Sequence, residues 1–469
     1  MLLSSTVYFV FLTGLFLLYW PLQRWRVAGL SVLLFANYFF YAKWDLFYLI
    51  LIPGASFIDY LIGLGLGSSK SPPLRRALVS LSVLMNLGIL ATFKYMPFFL
   101  ATYAGFAQTK APVWHWTFPL GISFYCFQSL TYTIDLFRKD GKPVRSLLTH
   151  MTAVSFFPTT LSGPITRVLA LAPQLEKTGR KLSSEDGGKA LFRICLGLMK
   201  KFLIADYLAD NLVNRVFDTP NLYTGMEALI GVYAYALQLY YDFSGYTDIA
   251  IGSALLLGLK LPENFNRPYL ALNISEFWRR WHISLSNWLR DYLYFSLPGI
   301  RSKWKVFTYF NLFVTMLLGG LWHGASWNFV IWGALHGGAL AFHHGWRTMR
   351  GNQPASTSLA VRVASRFLTT HFVILAWIFF RASTLDNAME VLARISSLTV
   401  SFSNISLPIA VVLLIAATVH YLPKRVYDFS SSLYIRSPFF AQAAALALLV
   451  LAIQYLSITG AAPFLYTKF

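Results

Sequence analysis

Residues 228–258 read ALIGVYAYALQLYYDFSGYTDIAIGSALLLG, and this stretch decides the class of fold. Its only charges are Asp242 and Asp248. A helix crosses the hydrocarbon core of a bilayer with about 20 apolar residues, so a run of this length spans it with residues to spare. Similar runs recur outward in both directions, near 2–20, 27–42, 46–66, 77–100, 118–137, 190–212, 307–322, 327–346, 367–380, 407–422 and 439–458. The expectation is an all-α polytopic membrane protein with about 11–13 transmembrane or re-entrant helices, forming one membrane-embedded domain over 1–469.

Composition agrees. The chain is 56% hydrophobic, 12% charged and has a mean hydropathy of +0.54, whereas a soluble domain carries roughly 25% charged residues to cover its surface. The formal net charge of +20 does not indicate nucleic acid, because the 39 Lys and Arg lie in short clusters between apolar runs. Clusters at Arg24 and Arg26, at Lys70, Arg75 and Arg76, and at Arg138, Lys139, Lys142 and Arg145 fall in alternate loops. The positive-inside rule therefore puts all three in the cytoplasm and the N-terminus outside. No charge precedes the first run, which reads as a retained span and not as a cleaved signal.

The apolar stretch 147–161, followed by Gly163 and Pro164, is half a bilayer long and reads as re-entrant. The segments 173–189 and 347–366 are the most polar connections and read as loops. Cys126 and Cys195 have no partner at metal-ligand or redox spacing, so two buried free thiols are expected. No internal repeat of the kind found in many secondary transporters is present.

Polar residues inside apolar sequence mark functional candidates. In the opening stretch, Tyr240 to Asp248 carries two carboxylates, Ser244 and the central Gly245, a pattern for a polar break in the helix. Asp242 and Ser244 are substrate-path candidates there, with binding of Asp242 and Asp248 to nearby arginines or helix N-termini as the structural alternative. A second group runs from Ser275 to Tyr292. At 100° per residue, Trp278, Trp281, His282, Leu285, Trp288, Leu289 and Tyr292 share one arc, and Arg279, Arg280, Asn287, Arg290 and Asp291 the other. It reads as an amphipathic helix at the cytoplasmic face, with Asn273 and Glu276 spaced as a capping box. His282 lies on the apolar arc, so it points into the protein or the membrane.

The third group is GGLWHGASWN, residues 319–328. Three glycines, with Ser326 and Asn328 able to cap the next helix, predict an unwound segment holding His323. Irregular backbone at membrane depth is tolerated only inside protein or beside a wet cavity, which puts His323 at a central polar tunnel. An imidazole with a pKa of about 6.5 can take a proton from a hydroxyl and return it near neutral pH. Acyl transfer from a thioester fits, with Trp322, Asn328 or an amide beside Gly324 as oxyanion donors. His336, His343 and His344 are read as structural, and no metal site is expected.

The chain resembles the membrane-bound O-acyltransferase family, in its bacterial polysaccharide branch. The matching stretches are Pro119 to Tyr125, Phe156 to Pro158 with Gly163 and Pro164, Tyr241 to Tyr246, Pro262 to Phe265, Phe277 to His282, Leu321 to Trp327 and Ala376 to Arg381. The resemblance implies that His323 is the essential active-site histidine and His282 a second, more variable polar position. It implies no bound cofactor, an acyl thioester such as acetyl-CoA as donor on the cytoplasmic side, and a tunnel to the outer face. Extracytoplasmic partner proteins would place acetyl on an exopolysaccharide, alginate-like or cellulose, from a multi-pass protein of the bacterial inner membrane. D-alanyl transfer toward teichoic acid and non-enzymatic transport are the alternatives. The sequence departs from the family pattern at Ser296 to Gly299.

Overall fold

The computed structural model describes residues 2–42, 48–116, 121–299, 304, 306–351, 358–456 and 464–465. Parts of the expected spans 46–66, 118–137 and 439–458, of the loop 347–366, and Pro119 and Leu120 lie outside them. All regular secondary structure among the described residues is helical, with a helix at each of the twelve expected spans. Four helices, Leu49–Ser68, Pro72–Ala107, Val306–His323 and Leu359–Arg381, are long and apolar enough to cross a membrane by themselves. Leu407–Tyr421 and Lys424–Arg436, bent by 95° at their junction, make a fifth if counted as one span. The protein is therefore a multi-pass membrane protein.

The chain forms two compact units. The first comprises 1–194 with 246–262. Two of its buried polar residues, Asp59 and Asn37, are answered by nearby side chains and backbone, as a dry interior favours. Asp59 accepts hydrogen bonds from Ser82 (2.6 Å), Asn86 (2.9 Å) and Ser129 (2.5 Å), which lie on the helices Pro72–Leu90 and Ile122–Arg138. The stretch 147–161 folds as two short helices, Leu147–Val154 and Phe157–Thr160, neither long enough to span. Asn37 satisfies the break between them: its Nδ2 donates to the Thr152 carbonyl (3.2 Å) and to Ser155 Oγ (3.3 Å), and its Oδ1 accepts from Phe157 N (3.0 Å).

The second unit comprises 195–245 with 263–465. Val306–His323 and Trp327–Met349 form an antiparallel hairpin with backbones in close approach. A Cβ at Gly320 would lie 2.2 Å from the Phe329 carbonyl oxygen, and one at Gly333 2.5 Å from that of Met316. Small residues at a crossing let dispersion contacts and weak backbone interactions hold helices together where lipid offers no hydrophobic drive.

Several expectations need correction. Tyr240 to Asp248 does not break its helix: Gly225–Leu256 is continuous over 32 residues. Gly245 serves close packing instead, since a Cβ there would meet the Gly197 carbonyl oxygen at 2.8 Å. The polar connections shrink, because Val168–Glu176 and Ser184–Leu198 take much of 173–189, and Leu359–Arg381 starts inside 347–366. Cys126 is buried, but Cys195 is only half-buried.

Candidate active site

His323 is the last residue of the Val306–His323 helix, so only Gly324 to Ser326 are non-helical and the unwound segment is shorter than the glycines suggested. Ser326 takes the extended N-cap conformation (φ −151°, ψ 159°) without a side-chain cap bond. Asn328 does not cap either. Its Nδ2 donates to the Ala382 carbonyl (2.9 Å), tying the end of Leu359–Arg381 to the turn.

The imidazole of His323 is 3% exposed. It meets the rings of Trp322 (5.0 Å between centroids), Phe380 (5.1 Å) and Trp332 (5.2 Å). Trp332 in turn stacks on Trp377 at 5.5 Å. These walls are aromatic and enclose the imidazole on three sides, a geometry that limits its rotamers.

The Ser275 to Tyr292 segment is not one amphipathic helix. It is Ile274–Trp278, a turn, Ile283–Trp288 and a π-helical turn Leu289–Leu293. The apolar arc holds for burial, with Trp278, Trp281, His282, Leu285, Trp288, Leu289 and Tyr292 all buried; the polar arc holds in part, with Arg279, Asn287 and Arg290 exposed and Arg280 and Asp291 half-buried. The capping pair is realised in altered form, with Asn273 Oδ1 accepting from Glu276 N (2.9 Å) and Glu276 Oε2 accepting from Leu272 N (2.8 Å). Burial works to raise the Glu276 carboxyl, but the Leu272 amide and Arg280 outweigh it and hold it below the usual value.

The break falls at His282, whose backbone is left-handed (φ 41°, ψ 55°). Asn264 holds the turn in place. Its carbonyl accepts from Ile283 N (2.9 Å), and its Oδ1 accepts from Ser284 Oγ (2.6 Å) and Ser284 N (3.2 Å). The Asn266 amide donates to the Arg280 carbonyl (2.9 Å) on the other side. Asn264 is fully buried and lies in the quoted stretch Pro262 to Phe265; an amide able to bond backbone was the available signal. The turn points His282 at Phe243 (4.6 Å), Trp322 (6.2 Å) and His323 (6.4 Å). The segment lies outside the spanning runs, and complete burial pushes the His282 imidazole down to about 3, leaving it neutral at physiological pH.

A His282→Asn variant should therefore fold normally, because asparagine tolerates the left-handed region, whereas His282→Val should lose about 1–2 kcal/mol through its β-branched clash. Thermal unfolding of the two purified proteins checks this. Acyl transfer by the Asn variant then tells whether the imidazole itself acts: wild-type rates would make His282 a structural residue only.

The remaining candidates separate. Trp322 is 4% exposed and contacts both histidines. Ser244 is buried, with no hydrogen-bond partner for its hydroxyl among the described residues. Asp242 belongs to a buried ion cluster: Lys201 Nζ lies 2.8 Å from Asp242 Oδ1 and 2.8 Å from Asp206 Oδ1. Asp242 Oδ2 also accepts from Leu465 N (2.8 Å). Asp248 pairs with Arg193 at 2.6 Å. The Gly225–Leu256 helix thus presents Phe243 to His282, while its aspartates bind cations.

Two further histidines lie in the same aromatic network. His336 is fully buried against Trp332 (4.7 Å) and Trp278 (5.2 Å), and His420 against Tyr240 (4.7 Å) and Tyr269 (5.2 Å). Sequence reasoning ranked His336 low and passed over His420, although an imidazole inside an apolar helix was the signal in both. Among the described residues no group of three or more His, Cys, Asp or Glu could hold a metal ion.

Comparison with known proteins gives the following. Residues 144–385 match the model of the membrane-bound O-acyltransferase family. The chain is 41% identical over 403 residues to a probable alginate O-acetylase of Azotobacter vinelandii, covering 85% of this chain and 78% of that protein. It is 36% identical over 416 residues to a peptidoglycan O-acetyltransferase of Helicobacter pylori, covering 82% and 77%. It is also 31% identical over 272 residues to a teichoic acid D-alanyltransferase of Bacillus subtilis, covering 54% and 68%.

Proposed function

We propose, because this chain belongs to the membrane-bound O-acyltransferase family, that it moves acetyl groups from a cytoplasmic thioester such as acetyl-CoA through the inner membrane for O-acetylation of an exopolysaccharide. The observation that carries the reading is the pair of buried imidazoles, His323 and His282, 6.4 Å apart between ring centres. That separation is too long for a direct bond between the rings, and in this reading the acceptor hydroxyl reaches His323 beside His282.

In this reading His323 takes the proton of an alcohol as its oxygen attacks the thioester carbon. The new C–O bond forms, the C–S bond breaks, and the proton passes to the departing thiolate. Trp322 is the best-placed oxyanion donor, since its ring contacts both histidines, whereas Asn328 already donates to Ala382. The low-dielectric aromatic walls strengthen any such hydrogen bond. We further propose a passage from the cytoplasmic side to these histidines, and extracytoplasmic partner proteins that complete transfer to the polymer.

The acceptor is read as an alginate-like polymer, because the alginate O-acetylases, at 39–41% identity, are more similar than the peptidoglycan O-acetyltransferase, at 36% over a comparable share of both chains. The teichoic acid enzymes are similar over about half of this chain. The test is deletion of the gene in its host, followed by mild alkaline release of esters from secreted and envelope polymers. Loss of acetate with full-length polymer still exported supports the proposal. Loss of ester-linked D-alanine would transfer the reading to teichoic acid, and loss of polymer export would replace it with transport.

A further inference from the structure

The first unit contains a second polar feature, made by other residues and independent of acyl transfer. A cavity of about 270 Å³ is lined by Lys177, Gly179, Arg180, Lys181, Leu182, Asp186, Leu255, Gly258 and Lys260. Four basic residues and one acidic one thus line it, with Arg180 half-buried and Lys177, Lys181 and Lys260 exposed at its rim. Arg180 is fixed, its Nη1 donating to the Gly258 carbonyl (3.1 Å) and its Nη2 to Tyr19 Oη (2.5 Å). By contrast, the ammonium groups of Lys177, Lys181 and Lys260 have no partner among the described residues. Like charges gathered in a concave site focus a positive potential and destabilise one another until an anion arrives.

The walls are built before any ligand binds. Gln23 clasps Arg180 from both sides, with Nε2 donating to the Arg180 carbonyl (2.9 Å) and Oε1 accepting from its amide (3.2 Å). Gln174 does the same for Lys260, at 3.2 Å and 2.9 Å. Gly179 (φ 65°) and Gly258 (φ 71°) turn the chain at its edge. The cavity also sits at the ends of two apolar helices. Trp20, near the end of Thr6–Leu22, donates its indole N–H to the Leu256 carbonyl (3.0 Å) at the end of Gly225–Leu256. A tryptophan at a helix end with basic residues beyond it marks the membrane–water boundary, and the Lys and Arg pattern puts this boundary on the cytoplasmic side.

We propose that this cavity binds a phosphate group, carried by an anionic lipid headgroup of the cytoplasmic leaflet. Arg180 supplies a positive charge held in place by Gly258 and Tyr19, and the three lysines supply mobile donors, the combination that suits a phosphate. A soluble phosphate ester has the same chemistry, and the experiment separates the two.

The full-length protein is placed in nanodiscs of phosphatidylcholine, with and without phosphatidylglycerol, and its lysines are labelled with an amine-reactive ester. Phosphatidylglycerol is expected to protect Lys177, Lys181 and Lys260 at least about tenfold, while exposed Lys70 is unaffected. In the K177Q/K181Q/K260Q triple variant, lipid retained after delipidation should fall by a similar factor. Protection by pyrophosphate in neutral nanodiscs, and not by phosphatidylglycerol, would keep the phosphate site but assign it to a soluble ester. Equal labelling of all lysines under every condition overturns the proposal, and this readout on the wild-type protein does not depend on how the variant folds.

Discussion

Replacing His323 with alanine is expected to lower acyl transfer by about 10²- to 10⁴-fold, the usual contribution of a positioned general acid–base group, with the protein still inserted and folded. The imidazole fills a slot between Trp332 and Phe380, so alanine leaves a small cavity. His323→Gln, which retains volume and a hydrogen-bonding end, controls for that packing loss. Both variants should retain wild-type expression and a monodisperse gel-filtration profile, and both should fail to acylate polymer in membranes supplied with labelled acetyl thioester. A glutamine variant with near wild-type turnover would remove proton transfer at position 323 from the mechanism, leaving the aromatic cluster a structural core.

The second large effect is expected at Lys201, a position with no part in the chemistry. Its ammonium lies 2.8 Å from each of two carboxylates, and Lys201 and Asp242 have side chains only 1% and 2% exposed. Removing one member of a buried ion cluster leaves uncompensated charge in a medium that solvates it poorly, at about 3–5 kcal/mol. Lys201→Met should therefore lower the unfolding temperature steeply. Adding Asp242→Asn and Asp206→Asn to Lys201→Met should recover much of that loss, because a neutral buried group is far cheaper than an unpaired charge. Detergent-solubilised protein followed by fluorescence-detected gel filtration across a temperature series reads both arms. If the single and triple variants unfold together, the cluster contributes little and Asp242 returns as a candidate for the substrate path.

How much of the site was legible follows from these residues. His323 and His282 stood out because an imidazole has a solvation cost inside apolar sequence, and that cost is visible at the level of single residues. Seven of the nine buried positions of the 275–292 segment, and its three exposed ones, also followed from periodicity, since burial depends on which residues are apolar. The backbone of that segment did not follow. Its break at His282 is imposed by Asn264, eighteen positions upstream, whose hydrogen bonds to Ile283 and Ser284 substitute for helical ones. Gly245 misled for a related reason: a glycine reads as a break when alone, yet here it admits the Gly197 carbonyl between two intact helices.

By itself, then, the sequence determined that this chain lies in a membrane, that it is helical, and which residues carry unusual solvation costs, because each of those properties is additive over neighbouring positions. Which polar group meets which was decided only by the tertiary structure. Asp242 and Phe243 are adjacent in the chain, yet one binds Lys201 and the other packs on His282. Successive side chains on a helix point about 100° apart, and what each one meets is supplied by segments remote in sequence.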